Sequence, residues 1–134
     1  MSKALNENLG EMKFDNLIAS HFPAPEVFTV TIVKDTAAQS LKRGTVLAYS
    51  SGTGGSSAHK VLGTTAGSNE TLTADAILAE DVEVGTTDNA TALAYRTGHF
   101  NENALIVKQG YTFKETDKIA LRDVGILLSD NVPY

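Results

Sequence analysis

The sequence predicts a small, mainly β domain in which antiparallel strands form a meander, with one short C-terminal helix and an extended N-terminal arm. The first observation behind this fold class is a set of three short apolar runs, Ala76–Val82, Ala90–Tyr95 and Ala104–Val107, separated by Gly, Asn and Asp turns. These runs follow one another too closely for helical crossovers, so neighbouring strands are expected to be antiparallel. The other two observations are a single helical signal near the C-terminus and a polar N-terminal region without a strong pattern.

The clearest individual strand is Glu26–Lys34. Phe28, Val30 and Ile32 alternate there with threonines, and β-branched residues are frequent throughout the segment. A second strand is expected at Thr45–Tyr49, which is again apolar and carries no charge.

Glycine and serine dominate Ser50–Asn69, where only Val61 and Leu62 offer apolar anchors, so this segment is expected to be a surface loop. Its glycines lack the spacing of a phosphate-binding loop, which needs GxxxxGK followed by Ser or Thr. Gly44, which precedes the second strand, is expected to supply a bulge or a positive φ angle.

A short helix is expected near the C-terminus. Thr112 and Glu115 have the spacing of a capping box, and Thr116 is a competing N-cap residue. Gly125 is suited to end the helix in the left-handed conformation, and Ile126–Leu128 is then expected to form a closing strand. The side chains that the helix would bury are Ala120, Leu121 and Val124, with Ile119 at its edge.

Composition argues against several classes of function. The 134-residue chain carries 11 basic and 16 acidic residues, a net charge of −5, and its basic residues are scattered. Binding to nucleic acid or to an anionic membrane would need clustered Lys and Arg, so neither partner is expected. Cysteine is absent, which excludes disulfides and thiolate metal sites. No apolar stretch is long enough to span a membrane and no secretory signal is evident, so we expect a soluble product made in the cytoplasm.

No pattern in the sequence indicates an active site. His21, His59 and His99 have none of the HxxxH, HxH or HExxH spacings that bring two imidazoles to one metal ion. The GxSxG motif of one class of serine hydrolase is also absent. Alternation along a strand would send the carboxylates of Glu80 and Asp81 to opposite faces, so we expect them to be solvated or to accept turn hydrogen bonds rather than to act as a catalytic acid–base pair.

Residues 1–25 are predicted to form an N-terminal arm, and residues 26–134 a single β-rich domain. Leu5, Leu9 and Met12 have the spacing of a weak helical stripe, but a glycine and the prolines near residue 25 argue against a stable helix. From the residues alone, two interpretations remain open. The segment is either a terminus without fixed structure or an arm that becomes ordered against a partner.

Five short segments carry a resemblance to a known family: Asp15–Ala19, Leu41–Leu47 (LKRGTVL), Ala76–Val82 (AILAEDV), Tyr95–Leu105 (YRTGHFNENAL) and Ala120–Leu128 (ALRDVGILL). They resemble the head decoration proteins of tailed bacteriophages, the lambda D-like family of capsid-stabilising proteins. The segment that begins at Tyr95 is the most specific of the five, and together the segments sample most of the chain.

The resemblance implies a fold, an assembly and a location. The fold would be β-clip-like, built of bent antiparallel ribbons. The protein would bind the major capsid protein of a tailed phage as a homotrimer, at three-fold and quasi-three-fold positions on the outer surface of the expanded head. It would stabilise the head against the pressure of packaged DNA, with no enzymatic activity and no cofactor. It would be made in the cytoplasm of the bacterial host and reside on the virion.

The resemblance also implies a role for the arm. In lambda-like members of the family an N-terminal arm, mobile in the free protein, becomes ordered on the capsid, which by position implies a contact role for Met1–Ala24. An arm that pairs with a sheet edge of the shell would gain backbone hydrogen bonds there. The apolar side chains expected to anchor the arm are Phe14, Leu17, Ile18 and Phe22.

Two other classes of function are alternatives to a capsid decoration protein. A carbohydrate- or receptor-binding β module would need aromatic side chains in the Gly/Ser loop, and Ser50–Asn69 has none. An enzyme on a β-clip-like fold would need clustered acids to hold Mg²⁺ and a phosphate-binding loop, and the sequence shows neither.

Overall fold

A computed structural model describes residues 16–20 and 22–129 of the chain. This part of the chain is mainly β, with one short C-terminal helix, as the sequence predicts. Its α-helix, α1, spans Glu115–Val124, and a single turn of 3₁₀ helix spans Glu102–Ala104. The strands are β1 (Ile18–Ser20), β2 (Glu26–Ile32), β3 (Gln39–Leu41), β4 (Val46–Ser51), β5 (His59–Val61), β6 (Thr71–Leu78), β7 (Val82–Val84), β8 (Ala90–Asn101) and β9 (Ile126–Ser129).

Five strands, one of which is β8, form a closed ring. Hydrogen bonding runs from β8 to β2, β5, β4 and β6, and β6 pairs again with β8, so five strands close a small barrel. The pair β2–β5 is parallel and the other pairs of the ring are antiparallel. Beyond the ring, the second half of β8 carries β1 on one side and β9 on the other, while β3 and β7 form a separate two-stranded ribbon.

Two apolar cores lie on opposite faces of the strands, as expected when neighbouring residues alternate between faces. The core enclosed by the ring contains Val30, Ile32, Leu47, Ala76, Leu78, Val84, Ala92 and Ala94. The other core is covered by α1 and contains Leu17, Val46, Ala48, Leu62, Ala74, Ile77, Tyr95, Phe100, Leu121 and Ile126. The faces of β2 are as the sequence predicts, because Val30 and Ile32 are buried while Thr29 and Thr31 are exposed.

The three apolar runs that suggested a meander form a different arrangement. Ala76–Val82 is split, since β6 ends at Leu78 and pairs with β8, whereas Val82 belongs to β7 and pairs with β3. The second run extends into a strand of 12 residues, which passes through a predicted turn because Gly98 adopts a φ of 145°. Ala104–Val107 is not a strand: it contains the end of the 3₁₀ turn and an isolated bridge from Ile106 to Thr45. The β-clip assignment stays a prediction.

The segment Ser50–Asn69 is more ordered than a surface loop. It contains β5, and the two apolar anchors Val61 and Leu62 are buried as expected. Gly44 has the expected positive φ, at 100°.

The helix begins between the two starting points that the sequence suggests, and it buries less than predicted. Its N-cap is Lys114 rather than Thr112 or Thr116, and the Lys114 backbone N–H donates to Oδ2 of Asp117 at 3.0 Å. Leu121 is fully buried, but Val124 is 44 % exposed, so its predicted burial is wrong. Gly125 ends the helix with a φ of 105°, which confirms its predicted role.

Candidate functional site

The root of the predicted arm is packed on the domain. Leu17 is only 1 % exposed and lies in the core that contains Phe100. Ile18 is half-buried in β1, where it pairs with Phe100. Leu17 O accepts a hydrogen bond from the Asn101 N–H at 2.7 Å. Residues 17–20 therefore fasten the arm to the second half of β8 before the chain continues into β2.

The four expected arm anchors have different environments. Leu17 and Ile18 are packed on the domain as described, whereas Phe22 is 84 % exposed, the most exposed large apolar side chain among the described residues. Phe14 and the rest of the arm before residue 16 lie outside the described residues. Of the anchors that the structure describes, Phe22 alone presents most of its side chain for contact with a partner.

A groove lies between α1 and β9, beside the strand β8 with which β9 pairs. It has a volume of about 370 Å³, and we call it the α1–β9 groove. Its lining comprises His99, Glu102, Glu115, Lys118, Ile119, Arg122, Ile126, Leu127 and Leu128. The groove is close to the arm root because His99 pairs with Leu127 of β9 and with Ser20 of β1.

The segments that carry the family resemblance tie the fold together. In Leu41–Leu47, Arg43 donates from Nη1 to the Tyr95 hydroxyl at 2.6 Å and to the Ala79 carbonyl at 3.1 Å. The Arg43 backbone N–H donates to Oδ1 of Asp81 at 2.8 Å. These contacts join the β3–β4 connection to the β6–β7 connection and to β8. The carboxylate of Glu80 accepts from the Leu93 N–H at 3.0 Å, so both acids accept backbone hydrogen bonds from other segments of the chain rather than within their own turn.

The two histidines that the structure describes, His59 and His99, lie in separate environments. His21 lies outside the described residues, and His99 is half-buried on β8. His59 is buried on β5, with Nε2 at 2.8 Å from Oδ1 of Asp75 and its ring edge-on to Tyr49. Within residues 16–20 and 22–129, no group of three or more His, Asp or Glu side chains is arranged to hold a metal ion.

The Gly/Ser segment between β4 and β6 is held at one point by Glu70. Its side chain is only 3 % exposed, and the carboxylate accepts from the Gly67 N–H at 2.8 Å, the Lys60 ammonium at 2.7 Å and the Ser50 hydroxyl. The Gly67 N–H, followed by Lys60 and Ser50, lowers the pKa of Glu70 from an ordinary value of 4.5 to about 2. No residue pattern predicts this anchor, because two of its donors, Lys60 and Ser50, come from the neighbouring strands β5 and β4.

This anchor makes part of the stability depend on acid pH. Because the folded-state pKa of Glu70 is below its unfolded value, its contribution is complete above pH 4.5 and is lost as the pH falls to about 2. We expect Glu70→Gln to remove that part of the acid sensitivity. Urea unfolding followed between pH 7 and pH 2 measures it, with Glu115→Gln, at an exposed position, as the control. Parallel pH curves for wild type and Glu70→Gln would contradict the assignment.

The comparisons with known proteins agree with the resemblance. The family model described as bacteriophage lambda head decoration protein D matches residues 24–127, which include α1, most of the strands and all buried core residues except Leu17. A search of curated proteins found no match. In the described part of the chain, the helix is too short to cross a membrane.

Proposed function

The chain belongs to the bacteriophage lambda head decoration protein D family, and we propose from this that it is a structural virion protein that decorates the outer surface of a phage capsid. The observation that carries the proposal is the family match over residues 24–127. The proposal includes no enzymatic activity, cofactor, nucleic acid or membrane. The partner is the major capsid protein of a tailed phage, and the chain is made in the cytoplasm of the bacterial host.

In the finer form of the proposal, the protein binds the expanded head as a homotrimer and stabilises it against the pressure of packaged DNA. A ligand that binds the expanded lattice and not the compact one stabilises the expanded state by its binding free energy. A trimer that bridges several shell subunits adds avidity, because each further contact forms at high effective concentration. Weak individual contacts would then be enough to hold the lattice.

The arm supplies part of this contact. Its proposed anchors are Phe14, Leu17, Ile18 and Phe22, and its backbone would add to a sheet edge of the shell. Among the anchors that the structure describes, Phe22 is the one already exposed in the free chain. Leu17 is buried in the core, so it holds the arm root in place and would contact the shell only after leaving that core.

Deletion of residues 1–15 is expected to weaken binding to expanded heads while leaving the described domain intact, because it stops before Leu17 and β1. Burial of a Phe side chain contributes about 1.5–3 kcal/mol, so Phe22→Ser should weaken each contact roughly 10- to 100-fold. Ala24→Ser, at an exposed neighbouring position, is the matched control.

The measurement is co-sedimentation with compact and expanded empty heads of the phage that encodes the chain, followed by heating of the bound particles. The proposed function predicts binding to expanded heads only and a higher temperature of disruption. Wild-type protein that binds neither form would refute it. Unchanged binding after the deletion and in Phe22→Ser would refute the role of the arm alone.

A further inference from the structure

One end of the barrel is lined by aromatic side chains. Phe28, Tyr49 and His59 continue the inward-facing positions of β2, β4 and β5 beyond the apolar residues of the enclosed core. The His59 ring meets the other two edge-on, with its centroid 6.3 Å from that of Phe28 and 5.4 Å from that of Tyr49. Asp75 on β6 and Arg96 on β8 complete this end, so each strand of the ring supplies one residue. We call these five residues the aromatic mouth.

Both charged residues of the aromatic mouth are the extra residues of β-bulges. The pairing of β8 with β2 skips Arg96, and the pairing of β6 with β4 skips Asp75. A bulge re-aims the side chain of its extra residue, and bulges are frequent at the rims of barrels and beside functional sites. Here they bring the Arg96 guanidinium to 5.9 Å from the centre of the Phe28 ring, and Oδ1 of Asp75 to 2.8 Å from Nε2 of His59.

The polar groups of the aromatic mouth retain the capacity to bind a ligand. Tyr49 is 37 % exposed, and the side chains of Asp75 and Arg96 are 26 % and 58 % exposed. Within the part of the chain that the structure describes, no group donates to Oδ2 of Asp75, and the Tyr49 hydroxyl has no hydrogen-bond partner. A carboxylate only accepts hydrogen bonds and a guanidinium only donates them, so the mouth offers both functions beside its rings.

We propose that the aromatic mouth binds a neutral glycan, a function that goes beyond capsid decoration. The flat face of a sugar ring packs on Tyr49, because its C–H groups are attracted to the negative face of an aromatic ring. Hydroxyls of the glycan donate to Oδ2 of Asp75 and accept from Arg96. Aromatic walls with a few polar groups are the usual composition of ligand sites in the mouths of β-barrels.

The charges of the aromatic mouth favour a neutral ligand over a charged one. A cation stacked on Phe28 would be repelled by Arg96, whose guanidinium already lies over that ring. A polyanion would meet the carboxylates of Asp75 and of Glu26, which is 3.6 Å from Nε of Arg96, on a chain of net charge −5. A hydroxyl both donates and accepts, so a neutral glycan can use groups of either sign. The Gly/Ser segment supplies no Phe, Tyr or Trp of its own, but the fold brings two such rings to its His59.

Tyr49→Leu and Asp75→Asn test the site on the free protein. Binding is sought on a microarray of neutral and charged glycans, and the affinity for a retained neutral glycan is then measured by NMR titration of ¹⁵N-labelled protein. Tyr49→Leu removes the stacking ring and Asp75→Asn the charged acceptor, so each should weaken binding about tenfold. Phe22→Leu and Asp88→Asn make the same changes at exposed positions outside the mouth. Both controls should bind within about twofold of wild type.

The NMR spectra also report where the glycan binds and whether each variant is folded. The glycan should shift the amide signals of Phe28, Tyr49 and His59, and Arg96→Gln, at an exposed side chain, replaces any variant that does not fold. Retention of no neutral glycan, normal binding by the mouth variants, or shifts confined to the α1–β9 groove would overturn the inference. Binding of the cationic probe tetramethylammonium in place of neutral glycans would overturn it as well.

The glycan site and the proposed function can fail separately. Tyr49→Leu is expected to co-sediment with expanded heads as the wild-type protein does, because the capsid proposal assigns no contact to the aromatic mouth. Loss of head binding in Tyr49→Leu, without glycan binding by the wild type, would make the mouth a contact with the shell and overturn the inference while the proposed function stands. Glycan binding by a wild-type protein that binds no head would support the inference alone.

Discussion

Replacement of Gly98 with alanine is expected to lower the free energy of unfolding by about 2–5 kcal/mol, as the sum of a strained backbone and an overpacked core. Gly98 has a φ of 145°, a conformation that residues with a Cβ rarely adopt. A Cβ at this position would lie 2.6 Å from Cε1 and 2.7 Å from Cζ of Phe100. The Phe100 ring is fully buried and cannot move aside without displacing its neighbours.

Gly85→Ala is the matched control, because a Cβ there meets no atom within 4 Å and its φ is not positive. Urea unfolding of the two variants, monitored by far-ultraviolet circular dichroism, measures the difference. Equal stability of Gly98→Ala and wild type would show that β8 does not need this conformation to pass from the barrel to the sheet with β1 and β9.

Truncation of Leu121 to alanine is expected to destabilise the protein by about 2–5 kcal/mol, which is the usual range for a buried leucine. Leu121 is the residue of α1 that is fully buried, and it lies in the core with Phe100 and Ile126. The loss should release α1 from the face of the sheet that it covers, together with the wall that it provides for the α1–β9 groove.

Val124→Ala is the control on the same helix, since Val124 is exposed and alanine has the higher helix propensity. Its stability should remain within about 0.5 kcal/mol of wild type. Thermal and urea unfolding give both values. A loss in Val124→Ala as large as that in Leu121→Ala would mean that Val124 is buried together with Leu121, as the sequence pattern suggested.

The elements that the sequence predicts correctly have local signals. Val30 and Ile32 alternate with threonines in β2, and Gly125 marks the end of α1. Strand β5 had no such signal, because it is short and lies among glycines and serines, and its strand conformation depends on Ile32 and Tyr49 from distant strands. The sequence does not predict the course of β8 through Gly98 for a similar reason. Glycine often marks a turn, but in β8 it lets the backbone of Gly98 lie close to the Phe100 ring.

The candidate site was predictable only in part. The arm segment was identified from resemblance, and the exposure of Phe22 required the structure. Of the α1–β9 groove, the sequence predicted the position of Ile119 at the edge of the helix. Its other half comes from β9, and a residue pattern cannot show that this strand pairs with β8.

The closed ring of strands has a consequence for the order in which the chain can fold. Strand β2 pairs with the first half of β8, and β1 pairs with the residues that follow it, His99 and Phe100. During synthesis the N-terminal strands therefore remain without their main partner until about residue 100 has left the ribosome. Closing such long loops costs entropy before the barrel contacts that offset this cost have formed. The nascent chain therefore gains most of its stability in one late step.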